Sequence, residues 1–520
     1  MSVIKFIFFL TLLVNISNSE AKVTYETVRS GSLINFHLDN IEDNLQLKEN
    51  NEGFVALTID GVSNQRVDGR AEIPMLNILL VENEKNGIDK INVKFSDQVF
   101  KKKGKLTYFK GEKCRCKKID DKKMDQLNYF TTDKYWVEDF GDYRGKKIYR
   151  LNVLLGSQMS EAFEIHENVK VFIPSNFSQL KDISRSGNKS SKTLILTTSL
   201  FEKQIKDYAN ILLNKERQVF VKVVPGNESK ENIKELIELY YQQEDINHVI
   251  LAGNDRVLST YYVETKFDSQ TPSDYPYSLM GGESDAIGDV FISRIPVSSN
   301  KEMQTVLKKW KLLANGISIK SALGVSSNEG ANPSDFEYMR NIINPIADAK
   351  NSARKFLDQN SGDSNRDVFN KELKKGVDWI SYIGHGSGFS WPSFNAEYDI
   401  EDLENVDNQK RFPVIIDIAC QNGRFSGEGR IGESFMTGGN DRRMIGASLY
   451  YGGSVDISWH PPAIMTVGIS DFISKNKNIN VSEALIYGHL YLINSNTSKE
   501  DILDNLEWYH LQGDPGITIL

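Results

Sequence analysis

The sequence predicts an α/β fold, a mostly parallel sheet flanked by helices, preceded by a β-rich domain. Three observations carry this. From Thr193 onward, short apolar runs alternate with segments of helical periodicity, as in a parallel sheet covered by helices. Before about residue 180, short runs are broken by Gly, Asn and Asp, and no long helical period occurs. Between them lies LKDISRSGNKSSK (180–192), polar and rich in Ser, which reads as a linker. A chain of 520 residues also exceeds one ordinary core. The expected organisation is a leader at 1–21, a β-rich domain at 22–180, a linker at 181–192 and the α/β domain at 193–520.

The leader is MSVIKFIFFLTLLVNISNSEAK. Lys5 precedes an apolar core from about Phe6 to Ile16, followed by small and polar residues. This is the layout of a secretory signal peptide, cut near Ser19 or Ala21. A membrane anchor needs roughly 20 apolar residues. This run is shorter, and no Cys follows it for a lipid. The mature protein is therefore expected outside the cytoplasm, secreted or periplasmic/extracellular, with no membrane anchor. The formal net charge of −8 brings no basic bias, so no nucleic-acid partner is expected.

In the β-rich part, GFVALTIDGV (53–62), EIPMLNILLVE (72–82), DKINVKF (89–95) and NVKVFIP (168–174) read as strands of an antiparallel sandwich or barrel. A lysine-dense stretch, KKKGKLTYFKGEKCRCKKIDDKK (101–123), reads as a solvated loop. The linker offers Lys181, Arg185, Lys189 and Lys192 as exposed basic cleavage points. In the α/β part, strands are expected at TLILTTS, QVFVKVV (218–224), HVILAGN (248–254), DVFISRI (289–295), SALGVSS (321–327) and RMIGASLYYGG (443–453). Helices are expected at 200–215, 230–242, 300–315, 333–350, 461–475 and 481–494. The strands fit either one large sheet or two subdomains side by side.

Two further runs carry the chemistry. VDWISYIGHGSGFSW (377–391) begins as a buried strand and turns glycine-rich at Gly384-His385-Gly386-Ser387. PVIIDIAC (413–420) is a second strand, ending at Cys420 and breaking at Gln421-Asn422-Gly423. In parallel sheets, ligands sit beyond the carboxyl ends of strands. If these strands are neighbours, the imidazole and the thiol meet at one sheet edge. A free thiol has a pKa of about 8.5 and needs a base or a positive environment to attack. His385 supplies one. The amides of Gly386 and Cys420 are candidates for stabilising an oxyanion. Only three cysteines occur, Cys114, Cys116 and Cys420. The Cys-x-Cys pair is awkward to bridge to itself, and Cys420 has no evident partner.

GHGSGFSW (384–391) resembles the His motif of the gingipain family of cysteine peptidases, and PVIIDIAC its nucleophile strand. DVFISRIPVSS (289–299), DYPYSLMGG (274–282) and LQGDPG (511–516) look like further family stretches in the same order. The resemblance runs from about Thr193 to Leu520. It implies a caspase-like fold and cysteine endopeptidase activity, with Cys420 as nucleophile and His385 as general base and acid. Asp289 matches the family position of the acid that orients the His. A basic P1 preference is implied for the best-known members; Asp456 and Trp459 are candidate pocket residues here, with Trp391 a further substrate-binding candidate. The β-rich region then reads as a propeptide, its lysine-dense stretch blocking the cleft as the chain's own inhibitor, with activation near 181–192. Known gingipains continue into immunoglobulin-like and sorting domains, and neither is expected after Leu520.

No cofactor is required for this chemistry. The family binds calcium, so structural Ca²⁺ is an expectation, with Asp255, Asp268, Asp274, Glu283 and Asp285 as acidic-turn candidates. Three readings stay open: a secreted zymogen hydrolysing protein or peptide substrates, a sortase-like transpeptidase of a secretion system, and a catalytically inactive envelope binding protein of the same fold.

Overall fold

The computed structural model describes residues 21–28, 30–83, 88–115, 133–179, 191–213, 217–282, 285–330, 333–406, 408, 411–427, 429–439 and 443–520. The leader and most of the linker, including Lys181, Arg185 and Lys189, lie outside the described residues, as do Cys116 and Glu283. The chain forms two compact units. The first comprises residues 1–111, 122–183 and 493–499, and the second residues 112–121, 184–492 and 500–520.

The first unit is built of small β-sheets around one core. One sheet runs in the order Ala21–Val28, Gly31–Leu38, Asn168–Pro174, Asn92–Phe95. A second runs Phe177–Gln179, Met75–Glu82, Lys146–Leu154, Tyr135–Tyr143. Pairing is antiparallel as expected, except that Phe54–Ile59 takes Lys105–Leu106 in parallel. Alternation explains the core: Ile34, Phe36 and Leu38 point inward from one strand, and Val169, Val171 and Ile173 from its neighbour. Arg150 is buried on this unit. It pairs with Glu138 at 2.6 Å and donates to the carbonyls of Ile493, Ser495 and Thr497. Those carbonyls come from the far end of the chain, which returns to complete this unit.

The second unit holds a ten-stranded sheet. Its strands are β1 Lys192–Thr197, β2 Gln218–Val223, β3 His248–Ala252, β4 Phe291–Ile295, β5 Ser321–Ser326, β6 Ala353–Asp358, β7 Trp379–Ile383, β8 Val414–Ile418, β9 Leu449–Gly453 and β10 Tyr509–Gln512. The spatial order is 2-1-3-4-10-9-8-7-5-6. Strands β1–β4 and β10 form one parallel half, and β5–β9 the other. The halves run in opposite directions and join where β10 pairs antiparallel with β9. One large sheet is therefore correct, with an antiparallel seam that the alternation does not reveal. The last predicted strand is shorter than expected, beginning at Leu449. Lys192 lies in β1, and its ammonium donates to the Glu244 carbonyl, so it is no open cleavage point.

Helices start where the sequence caps them. Ser299 and Ser334 each accept from the amide three residues on, and Glu302 and Glu337 reach back to complete capping boxes. Asn300–Leu312 buries Met303, Val306, Leu307 and Trp310 along one stripe. Two buried ion pairs fix the first half-sheet. Arg217 grips Asp514 at 2.7 and 2.9 Å. Arg294 grips both oxygens of Asp274, each at 2.7 Å. Both Asp274 oxygens are thus taken up by a guanidinium. Replacing Asp274 by Ala leaves Arg294 buried without its carboxylate. The expected loss is about 3–5 kcal/mol, read from the urea midpoint. The exposed Glu202–Lys206 pair is the control, and Glu202→Gln is expected to shift stability by about 0.5 kcal/mol or less.

Candidate active site

Strands β7 and β8 are parallel neighbours, with Ile383 opposite Ile418. The turns bearing His385 and Cys420 therefore leave one sheet edge side by side. Their backbones touch: a Cβ placed on Gly386 would stand 2.2 Å from the Cys420 carbonyl oxygen and 2.8 Å from its amide nitrogen. Only glycine fits there. The His turn is braced by Tyr382, whose hydroxyl donates to the His385 carbonyl at 2.7 Å, and by Ser393, which accepts from the His385 amide at 2.9 Å.

Asp417, at the end of β8, anchors the Cys turn. It is fully buried and receives Trp391 Nε1 at 2.8 Å and Asn422 Nδ2 at 3.0 Å, together with the Tyr450 hydroxyl. Burial pushes its carboxyl up to about 6. Trp391 is correspondingly occupied. It is fully buried, stacked on Tyr382 and Phe394, and so does not contact substrate as expected.

The carboxylate on the imidazole is Glu329, with Oε2 2.8 Å from His385 Nε2. Asp289 is not at this site. It accepts from the Met280 amide at 3.0 Å and from the Tyr241 hydroxyl at 3.4 Å. The reason is strand order. Asp289 leads into β4, which is four strand positions from β7 because β10, β9 and β8 intervene. At about 4.8 Å per strand that is roughly 19 Å. Glu329 instead follows β5, the direct neighbour of β7.

A second acid missed in the sequence is Asp335, buried in the first turn of the helix Asp335–Lys350. It faces Arg115, whose Nη1 and Nη2 meet its two oxygens at 2.9 and 3.0 Å, a bidentate pair with no exposure on either side. Arg115 Nε and Nη2 also donate to the Trp459 carbonyl at 3.0 and 2.7 Å, and the guanidinium lies 4.3 Å from the Trp459 ring centre. Gly330 permits this wall: it has a φ of 82°, and a Cβ there would stand 3.0 Å from the Trp459 indole nitrogen. Trp459 thus lies against the guanidinium as one wall, and Asp456 is not the acid that meets the cation. Asp456 accepts from Gln421 Nε2 at 2.9 Å and lies against Cys420.

Arg115 arrives in an extended segment. Cys114 bridges antiparallel to Ser458, and the Arg115 amide donates to the Ile457 carbonyl at 2.9 Å. The Ile457 amide in turn points to Cys420 Sγ at 3.4 Å. The Arg115 carbonyl accepts from His385 Nδ1. Both ring nitrogens therefore donate, one to a carbonyl and one to a carboxylate, so the ring is an imidazolium. The Glu329 bond, aided by the Arg115 carbonyl, raises its pKa above the usual 6.5 despite partial burial. The Cys420 thiol is buried, and burial together with the Asp456 charge pushes it far up. Contrary to expectation, Cys114 is disulfide-bonded, while Cys420 is free. Cys114, Cys420 and Asp456 bring ligand-type atoms within 4.8 Å. A disulfide sulfur is no thiolate, so this set does not fit a metal ion.

A cysteine sulfur and an imidazole at neighbouring strand tips, beside an acid-floored pocket, are the constellation of a cysteine-peptidase-type centre. The chain belongs to Peptidase family C25, whose pattern matches residues 186–520. It is similar to gingipain R2 of Porphyromonas gingivalis, 21% identical over 291 residues that take in 53% of this chain and 38% of that protein. Gingipain R1 of the same species is also 21% identical over 291 residues, 28% of its own length. The chain thus spans well under half of the curated relatives it matches. Among solved structures, the Arg-specific cysteine proteinase gingipain R (RgpB) superposes with a TM-score of 0.57 at 19% identity, over 64% of this chain and 79% of that one. The complex of the P. gingivalis RgpB pro- and mature domains gives 0.55 at 18% identity, over 63% and 80%. These likenesses establish the fold.

The raised pKa of His385 sets a sign. Its contribution to stability is complete below pH 6.5, the ordinary value, and is lost as pH rises through the higher folded value. Glu329→Gln removes the main cause, so the His385 titration midpoint followed by NMR is expected to move down and this window to narrow.

Proposed function

We propose that this protein is an exported cysteine endopeptidase that cuts after arginine and is made in a latent form. The observation that carries the reading is Arg115. A buried guanidinium sits on the Asp335 carboxylate while its own carbonyl lies on His385, in an extended segment added to the strand-like stretch at Ile457–Ser458. This is how a peptide substrate engages a cleft: backbone pairing for affinity and one pocket for specificity. Asp335, placed in the first turn of a helix, adds the favourable end of the helix dipole to the site's design for a carboxylate.

The reaction follows from the same atoms. With substrate in place of the latent segment, Cys420 Sγ attacks the scissile carbonyl carbon. His385 Nδ1, freed from the Arg115 carbonyl, takes the thiol proton and returns it to the leaving amine. Glu329 holds the Nε2–H and steadies the imidazolium. The amides of Gly386 and Cys420 are the candidate donors to the developing oxyanion. Water then hydrolyses the thioester.

The latent state opposes each step. Its imidazolium cannot accept a proton, and its thiol is shielded from solvent. Export is supported by the leader-like start and by the disulfide at Cys114, a bond that persists in oxidising compartments. Among the described residues no helix is long and apolar enough to cross a membrane.

Cleavage of peptides with Arg, Lys or Ala at P1 tests the reading. Cys420→Ala is expected to abolish turnover. Asp335→Asn is expected to lower kcat/KM for Arg peptides by about 30- to 1,000-fold, the loss of one partner of a buried charge pair, with little change for Ala. Equal loss on all three peptides would reject the pocket assignment. Separately, Arg115→Ala in the full chain is expected to show activity before any cut at 181–192, measured as initial rate on freshly purified protein.

A further inference from the structure

The segment that brings Arg115 into the pocket also carries a sulfur. Cys114 is 8% exposed and Cys420 fully buried, and their Sγ atoms lie within 4.8 Å of one another. The Cys114–Ser458 bridge and the Ile457 amide on Cys420 Sγ hold the two from the same two residues of one strand-like stretch. Cys114 is in a disulfide and Cys420 is a thiol. A free thiol beside a disulfide sulfur is the reactant pair of thiol–disulfide exchange.

We propose that Cys420 and Cys114 form an exchange site, and that the latent chain can cap its own nucleophile as a Cys114–Cys420 disulfide. Cys420 gives up its proton to solvent base, since the Asp456 carboxylate beside it favours the thiol over the thiolate. His385, already an imidazolium, is not available for this. The Cys420 thiolate attacks Cys114 Sγ. The bond from Cys114 to its present partner sulfur breaks, and that sulfur leaves as a thiolate and takes up the proton. One disulfide is consumed and one is formed, so no outside oxidant or reductant enters. Rotation about the two Cα–Cβ bonds brings the sulfurs from within 4.8 Å to the bond length of about 2.05 Å. The short Cys-x-Cys spacing favours the forward direction, because closing so small a loop is awkward while Cys114 and Cys420 are already held together. The capped form then needs a thiol reductant as well as loss of the Arg115 segment before it can turn over. The exchange itself rests only on the sulfur positions; its effect on latency rests on the peptidase reading above.

The test uses the full chain, purified from an oxidising compartment without reductant. Samples are held between pH 6 and 8.5, quenched in acid, and their free thiols blocked with N-ethylmaleimide. They are then digested with a glutamate-specific protease without reduction and analysed by mass spectrometry. The expected result is a peptide linking Cys114 to Cys420, with the label on the third cysteine of the chain, forming about tenfold faster per pH unit as the thiolate fraction grows. A second arm measures turnover of an Arg peptide after proteolytic activation, with and without dithiothreitol. Dithiothreitol is expected to raise the rate of the pH 8.5 sample severalfold. The same sample from a variant with Cys114 and Cys116 both replaced by Ser is expected to be insensitive to it. Label on Cys420 at every pH, with Cys114 keeping its original partner, overturns the exchange even if the protein is an active peptidase. The linked peptide in a chain that never cuts any substrate supports the exchange and rejects the peptidase reading instead.

Discussion

A guanidinium leaves water only where a carboxylate and hydrogen-bond acceptors meet it. The pair of Arg115 with Asp335 is such a meeting, sealed on both sides. Much else at the site is arranged by it. The pull of the side chain into its pocket fixes the backbone on either side, which lays the Arg115 carbonyl on His385 and the Cys114 sulfur near Cys420. One well-satisfied buried charge thereby bears on the hydrogen bonding of His385 and on the surroundings of Cys420 together. The interaction is charge-assisted, bidentate and backed by an indole face, so its strength comes from geometry as much as from charge.

The sheet explains why this arrangement can exist. Five parallel strands point their carboxyl ends to one edge, and three neighbouring ones, β5, β7 and β8, each deliver a functional group there. Glu329 follows β5, His385 follows β7 and Cys420 follows β8. Strand β9 adds the turn with Ile457 and Trp459. Precision comes from below the turns, where Asp417, Tyr450, Asn422 and the aromatic group around Trp391 leave the loops little freedom.

How much of this the sequence disclosed depended on whether the information was local. His385 and Cys420 stood out because each ends an apolar run at a polar, glycine-bearing turn. Those are chain-neighbour features, and the structure places both groups at one edge. Glu329 and Asp335 carried a signal as well: SALGVSS is a strand, its end obeys the same edge rule, and the Ser334–Glu337 capping box starts a helix aimed at the edge. The signal lay in a third strand whose adjacency to the other two is not written in the local pattern. Asp289 was misplaced for the converse reason. Its strand resembles a functional one, but β10, from the chain's last residues, inserts between the half-sheets and moves it away. Trp391 was misread because an aromatic residue near a reactive turn looks the same in sequence whether it faces a ligand or the core. Arg115 sat in view inside a lysine-rich stretch, and only the fold shows that one cation among many is buried.

Residues 493–499 form a short return of the chain into the first unit. They lie within the α/β part of the sequence, with residues 500–520 of the second unit still to come, yet they belong to the β-rich unit, where Arg150 collects three of their carbonyls. Scission anywhere in the linker therefore yields two polypeptides that remain clasped, since the younger fragment keeps a strap of the older one's body. Departure of the amino-terminal piece is then a dissociation with its own off-rate, separable from the cut, and a nicked sample would travel as a single species until that strap lets go.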